Sequence, residues 1–346
     1  MKLLSIVGTR PQYVKLKPII DAAKSRNLIH DWIDTGQHYS PSLSAELIEE
    51  FNLPLPKLNL MVGSGTHGFQ TARMLEGLEF FLLENNYDLV IVYGDTNSTL
   101  AGALAASKLG IPIAHIEAGI RSGNMDMPEE KNRRIVDHIS SLLFAPTQLA
   151  VENLEKEGLN SIVHSGDIMY DVLQKVDFKT KSDGDESSTF VLSTIHRAEN
   201  CDSRDRLEEI FRSLENLDQR VFLPAHPRLV QRLDEFGITF DREKIYIFDP
   251  QNHRDLLDLV NRSKCVITDS GGLQKEAFML RKICITVRHE TEWPETLEYR
   301  WNVLNPHLEN LTELVNRESP MEQSAYFGNG HAAEIILREI ENRFGG

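Results

Sequence analysis

Short apolar runs alternate with longer helix-like segments along almost the whole chain, and this alternation constrains the fold more than any other feature. Short runs rich in Val, Ile and Leu are typical of strands buried on both faces of a parallel sheet. Helical segments between such strands indicate βαβ units. About nine strands are predicted, at Leu3–Val7, Leu89–Tyr93, Pro112–Ile116, Leu142–Ala145, Thr189–Ser193, Val221–Ala225, Ile245–Phe248, Val266–Thr268 and Cys284–Val287.

The chain is too long for a single core of ordinary size. At 346 residues, two domains are the expectation, and two sheets accommodate the strands better than one. We predict an α/β protein with two Rossmann-like, doubly wound domains, at residues 1–165 and 166–330. The polar segment Lys179–Ser188 is predicted to be a solvated loop. Residues 331–346 are predicted to form a C-terminal amphipathic helix, and ligands are expected in a cleft between the two domains, outside the strand ends.

Composition excludes several classes of partner. The formal net charge of −15 argues against nucleic acid or an anionic membrane surface. The three cysteines are too few and too scattered for a disulfide framework, and Cys265 and Cys284 lie in apolar runs typical of a core. No signal peptide is predicted, because the apolar run at Met1–Val7 is too short for one, and no apolar run approaches the roughly 20 residues of a membrane helix. A reducing cytoplasm is therefore the expected location.

The segment Thr268–Glu276 is the strongest candidate ligand site in the second half of the chain. A predicted strand runs directly into Ser270, Gly271 and Gly272, and a helical pattern follows. A helix that begins there offers unpaired backbone N–H groups and a positive dipole end to an anion. The glycines are expected to permit close approach of a phosphate and unusual backbone angles. Glu276 is suitably placed to accept hydrogen bonds from a ribose. An ordinary βα turn is the competing interpretation.

Charged residues follow several other predicted strands. Arg10 stands at a Gly-to-Pro turn and Lys15 follows about one helical turn later, an arrangement that favours phosphate binding over a surface or interdomain ion pair. Asp95 and Glu117 follow adjacent βα turns, so the two carboxylates are expected to approach each other. His196 follows the strand near residue 190 and suits either phosphate binding or proton transfer, unless it is a simple exposed loop histidine.

Carboxylates also open the helical segment that begins at Pro128, a residue suited to a first helical turn. Glu129 then has two interpretations, as helix-start stabilisation or as an acid/base, and Arg133 could pair with it at i,i+4. Several acids close to Arg and His match proton transfer beside an anionic leaving group. No zinc-ligand spacing, G-x-S-x-G elbow or Walker A loop occurs, so metal, hydrolase-triad and NTPase sites are not predicted. A dehydrogenase site is not predicted either, because the G-x-G-x-x-G spacing of Gly63–Gly68 is a weak signal by itself.

Taken in order, the motifs of this chain resemble those of the non-hydrolysing UDP-N-acetylglucosamine 2-epimerases over almost its whole length. Many ordered motifs make this resemblance far more specific than any single one. The motifs are Gly8-Thr9-Arg10-Pro11, Thr35-Gly36-Gln37-His38, Gly94-Asp95-Thr96, Glu117-Ala118-Gly119-Ile120-Arg121, Pro128-Glu129-Glu130 with Asn132-Arg133, Thr268-Asp269-Ser270-Gly271-Gly272 with Gln274 and Glu276, and Thr291-Glu292-Trp293-Pro294-Glu295.

The resemblance implies a GT-B-like fold of two Rossmann-like domains facing a central cleft, with the C-terminal helix returning to the first domain. It implies an isomerase that eliminates UDP across sugar carbons 1 and 2 and adds it back after reprotonation on the opposite face. The product, UDP-N-acetylmannosamine, is a precursor of surface polysaccharide. The resemblance implies no cofactor and no metal, and homodimers are common among such proteins.

Roles follow by position from the same resemblance. Asp95, Glu117 and Glu129 are the acid/base candidates, without assignment to particular steps, and His196 acts at the diphosphate beside them. Glu276 would bind the ribose, and the uracil is expected near Phe248. The remaining diphosphate contacts are expected from Arg10, Lys15, Arg133 and the N–H groups of Ser270, Gly271 and Gly272.

The chain departs from the common pattern at three places. Trp293 stands where many relatives have arginine, Tyr39–Ser42 differs from a segment linked to activation by a second substrate molecule, and Gln12 replaces a frequent glutamate. This combination is similar to the branch acting on UDP-2,3-diacetamido-2,3-dideoxyglucuronate, so a modified UDP-HexNAc is an alternative substrate. The same motifs are also compatible with a hydrolysing epimerase, a retaining GT-B glycosyltransferase or a non-catalytic sugar-nucleotide sensor.

Overall fold

The computed structural model describes residues 1–37, 41–178 and 190–345, with the backbone alone at 41–45. The predicted loop at Lys179–Ser188 lies outside these residues, as do the first two residues of the Tyr39–Ser42 segment. The chain forms two compact units: Met1–Lys175 together with Ala325–Gly346, and Val176–Ser324. Within the described ranges, none of the helices has an apolar stretch long enough to cross a membrane.

The first unit is built on a seven-stranded parallel sheet with the order β3-β2-β1-β4-β5-β6-β7. The order reverses direction between β1 and β4, which makes their carboxyl ends a topological switch point. The strands are β1 (Lys2–Val7), β2 (Ile29–Asp34), β3 (Leu58–Asn59), β4 (Leu89–Tyr93), β5 (Ile113–Ile116), β6 (Leu142–Ala145) and β7 (Ile162–His164).

Helices cover both faces of this sheet, which is why its central strands are continuously apolar. On β1, Leu3 and Val7 join the core on one face, whereas Leu4 and Ile6 join the core on the other, as the two-residue period of a strand requires. The helices are α1 (Arg10–Ser25), α2 (Pro41–Glu50), α3 (His67–Glu84), α4 (Asn97–Lys108), α5 (Pro128–Ile139), α6 (Gln148–Lys156), α7 (Ile168–Gln174) and, at the C-terminus, α14 (Ala332–Phe344).

The C-terminal helix belongs to the first unit. Ile336, Leu337 and Ile340 are fully buried in the same apolar cluster as residues of α1. The carboxylate of Asp171 on α7 accepts hydrogen bonds from the backbone N–H groups of Ala332 (2.9 Å) and Ala333 (2.8 Å), which caps the start of α14. Because α7 is tied to α14 in this way, the first unit extends past the predicted boundary at residue 165, and it resumes before residue 331.

The second unit is a six-stranded parallel sheet with the order β10-β9-β8-β11-β12-β13, and its switch point lies between β8 and β11. Its strands are β8 (Val191–Thr194), β9 (Val221–Pro224), β10 (Ile245–Phe248), β11 (Cys265–Thr268), β12 (Ile283–Thr286) and β13 (Asn302–Leu304). Its helices are α8 (Ala198–Cys201), α9 (Arg204–Glu215), α10 (Pro227–Phe236), α11 (His253–Arg262), α12 (Gly271–Met279), a 3₁₀ helix at Pro294–Arg300, and α13 (Leu311–Asn316).

The prediction of two parallel α/β domains is confirmed, and the residues that the structure describes form thirteen strands, four more than the nine predicted. The missed strands β3, β7 and β13 are only two or three residues long. The missed β2 mixes apolar and polar residues in Ile29–Asp34 without a regular alternation and does not form an apolar run. Short edge strands and strands of mixed polarity lack the continuous apolar signal that identified the others.

Candidate active site

The turns after β1 and β4 lie side by side at the switch point of the first unit. Gln12 on α1 joins them: its Oε1 accepts hydrogen bonds from the N–H groups of Gly8 (2.9 Å) and Thr9 (3.2 Å), and its Nε2 donates to the carbonyl of Tyr93 (2.8 Å). A glutamate could not make the last of these bonds in its ionised form. Arg10, the first residue of α1, is half-buried at this edge of the sheet.

Asp95, the second residue after β4, is held by residues of α5. Arg133 forms a close ion pair with its carboxylate, and Asn132 donates a hydrogen bond to its backbone carbonyl at 2.9 Å. Burial raises the pKa of the Asp95 carboxyl, and the nearby carboxylates of Glu117 and Glu129 act in the same direction, while Arg133 and Lys15 oppose the shift. The predicted approach of Asp95 and Glu117 is therefore present, with Glu129 within electrostatic reach.

Glu117 follows β5 and is almost fully buried, with its Oε2 bound to the ammonium of Lys15. Its backbone φ is +68°, in the left-handed region that non-glycine residues rarely adopt. Such a conformation costs of order 1–3 kcal/mol and is concentrated at functional sites. Lys15, which the sequence assigns to the diphosphate, is therefore engaged with an acid/base candidate in this structure.

α5 begins at Pro128, as predicted, and places two neighbouring glutamates in different surroundings. Glu130 is fully buried and accepts hydrogen bonds from the Ser122 N–H (2.9 Å) and from Arg133 (3.3 Å) and Arg134 (3.2 Å). Burial alone would raise its pKa, but these donors hold the pKa of Glu130 below its usual value. Glu129 is half-buried, and its negative charge helps to raise the pKa of Asp95. Glu130, for which no role was predicted, fastens the loop before α5.

In the second unit, the fully buried Asp269 organises the turn after β8. Its carboxylate accepts hydrogen bonds from the backbone N–H groups of His196 (3.1 Å) and Arg197 (2.9 Å) and from the Asn200 side chain (3.0 Å). It also lies 3.0 Å from Nδ1 of His196. Burial opposes ionisation, but these partners keep the pKa of Asp269 below its usual value. Asp269 thus orients the half-exposed ring of His196, a role the sequence did not reveal.

The N-terminus of α12 forms as predicted, with one correction. Ser270 is the N-cap and accepts a hydrogen bond from the Leu273 N–H at 3.3 Å. Gly271 and Gly272 are the first two helical residues and neither has a positive φ, so the expected unusual backbone angles are absent. A Cβ at Gly272 would meet nothing closer than 4.0 Å, and a Cβ at Gly271 would lie 3.4 Å from Oε1 of Glu292, so the protein leaves space beside both residues.

Two arginines and a glutamate adjoin this helix start. Glu292 lies against Gly271, 2.8 Å from Nη1 of Arg288 and 3.6 Å from Nη2 of Arg197. Burial would raise the pKa of Glu292, but the Arg288 and Arg197 guanidinium groups keep it below its usual value. The next residue, Trp293, is buried with its ring 4.0 Å from the Lys275 ammonium. At position 293, where many relatives have arginine, this chain therefore has a tryptophan that makes a cation–π contact with Lys275.

The other predicted nucleotide residues also lie in the second unit. Glu276, the ribose candidate, is on α12 and its Oε1 lies 2.8 Å from Nε2 of His253. Phe248, near which the uracil was expected, is half-buried at the carboxyl end of β10, and its ring stacks on Tyr246 at 5.4 Å. The structure thus groups His196, Ser270, Gly271, Gly272, Glu276 and Phe248 in the second unit, and Arg10, Lys15, Asp95, Glu117, Glu129 and Arg133 in the first.

Each unit can perform one part of a reaction. The first presents three carboxylates beside two cations, which is suited to proton transfer. The second presents a helix N-terminus beside an oriented histidine, which is suited to a phosphate. Among the residues that the structure describes, no cluster of three or more His, Cys, Asp or Glu side chains is arranged to hold a metal ion.

Comparison with known proteins agrees with this arrangement. A family model described as UDP-N-acetylglucosamine 2-epimerase matches residues 21–341. A UDP-N-acetylglucosamine 2-epimerase from Methanocaldococcus jannaschii is 44% identical over 364 residues, with 98% of each chain covered. A UDP-2,3-diacetamido-2,3-dideoxy-D-glucuronate 2-epimerase from Pseudomonas aeruginosa is 43% identical over 314 residues, with 88% of each chain covered.

Solved structures lead to the same family. The crystal structure of M. jannaschii UDP-GlcNAc 2-epimerase in complex with UDP-GlcNAc and UDP matches with a TM-score of 0.88 and 42% identity, covering 99% of this chain and all of that one. The two parallel-sheet domains have the GT-B-like architecture predicted from the sequence. The chain therefore belongs to the UDP-N-acetylglucosamine 2-epimerase family.

Proposed function

We propose that this protein is a non-hydrolysing epimerase that inverts carbon 2 of UDP-N-acetylglucosamine to give UDP-N-acetylmannosamine. The observation that carries the proposal is the grouping of Asp95, Glu117 and Glu129 beside Lys15 and Arg133 in the first unit. A site that only bound or transferred a sugar nucleotide would not need three carboxylates at one strand edge. Family membership and the 44% identical M. jannaschii epimerase support the same reaction.

The proposed chemistry removes the proton from carbon 2 while the bond between carbon 1 and the UDP oxygen breaks, so that a double bond forms between carbons 1 and 2. A proton then returns to carbon 2 on the opposite face, and UDP adds back to carbon 1. Glu117, held as an ion pair by Lys15, suits the base. Asp95, which is ion-paired with Arg133, and Glu129 are the candidates for the group that returns the proton to carbon 2.

UDP is the leaving group, and its negative charge must be stabilised as the bond to carbon 1 breaks. We assign that role to His196 and to the N–H groups of Ser270, Gly271 and Gly272, with Arg10 and Arg133 assisting. Asp269 supports this assignment, because its carboxylate lies 3.0 Å from Nδ1 of His196 and orients the ring. Glu276 would receive the ribose hydroxyls, and Phe248 would adjoin the uracil. No cofactor or metal enters the proposed reaction.

A modified substrate is the second candidate. The P. aeruginosa relative named for UDP-2,3-diacetamido-2,3-dideoxy-D-glucuronate is 43% identical, close to the 44% of the M. jannaschii epimerase, so overall identity does not separate the two substrates. Both carry an acetamido group at carbon 2 and the same leaving group. The proposed acid/base chemistry is therefore unchanged if the sugar is the uronate.

The deciding experiment is incubation with each UDP-sugar in deuterated water, followed by NMR. Deuterium at carbon 2, with both epimers present as UDP-sugars, supports the proposed reaction. The UDP-sugar that is epimerised faster identifies the substrate. Free sugar and UDP would instead indicate a hydrolysing enzyme. Asp95→Asn is the matched variant: exchange at carbon 2 should be lost while UDP still binds. Full exchange by this variant would remove Asp95 from the mechanism.

We also propose that the protein is a homodimer formed through α3. Met61, Phe69, Phe80 and Leu83 expose 55–65% of their surface. Phe69, Arg73, Glu76, Phe80 and Leu83 recur at intervals of four and three residues, so they share one face of the helix. An antiparallel pair of α3 helices centred between Met74 and Leu75 would set Phe69 opposite Phe80 and Arg73 opposite Glu76 of the second copy. This self-complementary charge and apolar pattern suits a two-fold interface.

A cytoplasmic location fits the same proposal. Cys201, Cys265 and Cys284 are all free and buried thiols, consistent with a reducing compartment. Activity in a soluble cell fraction prepared without detergent tests it, and activity confined to the membrane fraction would contradict it.

A further inference from the structure

A buried histidine joins the two turns that carry Asp95 and Glu117. His115 on β5 has no exposed surface. Its Nε2 lies 2.8 Å from the carbonyl oxygen of Gly94, the residue directly before Asp95. Its Nδ1 lies 2.7 Å from Oδ1 of Asp137 on α5. The proposed reaction assigns no role to either His115 or Asp137.

Asp137 continues the connection to the second turn. Its Oδ2 accepts a hydrogen bond from the backbone N–H of Gly119 at 3.1 Å and lies 2.8 Å from Nη2 of Arg121. Burial favours the neutral acid, but His115 and Arg121 hold the pKa of Asp137 below its usual value, so the carboxylate is ionised at neutral pH. Hydrogen bonds therefore run from Gly94 through His115 and Asp137 to Gly119, two residues after Glu117.

This geometry determines the protonation of the ring. A carbonyl oxygen can only accept a hydrogen bond, and so can an ionised carboxylate. A neutral His115 would direct a lone pair at one of these two acceptors. Both ring nitrogens must therefore donate, which makes His115 an imidazolium whose charge is balanced by Asp137.

We propose that His115 is a positioning residue for epimerisation, which acts as a doubly protonated clamp between the turns of Asp95 and Glu117. The proposal rests on the proposed function, since its effect on catalysis passes through those two acids. Glu117 has a φ of +68°, so its turn needs surrounding contacts to keep that conformation. The clamp contacts the backbone of Gly94 and, through Asp137, the backbone of Gly119.

The test compares His115→Gln with His30→Gln. Glutamine has a single amide and cannot donate to both acceptors along the two directions of the imidazolium. His30 is a matched control on β2 of the same sheet, where its Nε2 lies 2.8 Å from the Ser5 hydroxyl of β1. For His115→Gln we expect kcat to fall about 100-fold, because displacement of catalytic groups by about 1 Å has that effect. KM and UDP affinity should change less than about threefold in both variants, and kcat should be unchanged in His30→Gln.

Nitrogen-15 NMR of histidine-labelled wild-type protein at neutral pH gives a second readout that needs neither turnover nor a folded variant. Two protonated ring nitrogens at His115 support the clamp, and a lone pair on either nitrogen overturns it. An active His115→Gln variant beside an active wild type overturns the positioning role alone. A wild type that epimerises neither UDP-sugar overturns the proposed function instead, so the two failures are distinguishable.

Discussion

Lys15 and Glu117 form a nearly buried ion pair between residues that are 102 positions apart in the sequence. The pair joins the first helix of the chain to the turn after β5, where Glu117 adopts a left-handed backbone conformation. The resemblance places Lys15 at the diphosphate, whereas in this structure its ammonium binds the acid/base candidate Glu117. Removing one member of such a pair leaves a buried, uncompensated charge.

Lys15→Met should therefore destabilise the protein by about 3 kcal/mol, because Glu117 loses its partner in a buried site. Glu117→Gln should be milder, and the double variant should be less destabilised than the sum of the two, with a coupling of about 1–3 kcal/mol. Urea unfolding at pH 7 measures all three. Additive effects would show that the ion pair contributes no interaction energy.

Glu129→Gln and Glu130→Gln should separate catalysis from structure. Glu129→Gln should reduce kcat by roughly 10²–10⁴-fold, the usual contribution of an acid/base group, with unchanged stability. Glu130→Gln should lower the free energy of unfolding by about 1–3 kcal/mol, because its buried donors lose a charged acceptor. Steady-state kinetics and urea titrations on both variants check this, and each serves as the control for the other. The opposite pattern would exchange their roles.

Asp269 should contribute to a pH-dependent stability. Its pKa is lowered in the folded state, so its contribution is present above the unfolded value of about 3.9 and is lost as pH falls through the folded value. Asp269→Asn should be destabilised by about 3 kcal/mol at pH 7 and should lose less stability than wild type below pH 4. Chemical unfolding between pH 3 and pH 7 measures both. The exposed Asp234→Asn is the control, and a parallel pH curve for Asp269→Asn would contradict the argument.

The α3 interface predicts charge-reversal behaviour. Arg73→Glu or Glu76→Arg alone should weaken the dimer at least tenfold, since like charges would then face each other across the two-fold axis. The double variant should restore the dimer by exchanging the signs. Sedimentation equilibrium measures the dissociation constants, with the exposed Arg204→Glu on α9 as a control that leaves association unchanged. A wild-type monomer, or equal association of all variants, would exclude this surface.

Trp293→Arg tests the contact between Trp293 and Lys275, at a position where many relatives have arginine. The new guanidinium would lie beside the buried Lys275 ammonium, about 4 Å from it, in place of a favourable cation–π contact. We expect a loss of about 3 kcal/mol in stability, measured by urea unfolding, that added UDP partly reverses by supplying negative charge. Trp293→Phe keeps an aromatic ring and should lose less. An equally stable arginine variant would show that the contact is not important.

Sequence patterns predicted a structural element correctly where a short stretch of neighbouring residues was sufficient to identify it. The apolar run Leu89–Tyr93 identified β4, and the turn after it identified Asp95 as a strand-end acid. Patterns failed for β2, where Ile29–Asp34 mixes apolar and polar residues irregularly, and for the glycines at 271 and 272, whose backbone is ordinary helix. Partners distant in sequence were also missed, because no local pattern records which side chains meet.

The sequence by itself determined the two parallel α/β domains, the strand-end positions of the acids and the helix start at Ser270, because each depends on periodicity or on neighbouring residues. Only the tertiary structure decided what those residues contact. It paired Lys15 with Glu117 and Arg133 with Asp95, buried Asp269 behind His196, and joined Gly94 to Gly119 through His115 and Asp137. These contacts come from the order and register of the strands, which bring distant turns to one edge of a sheet.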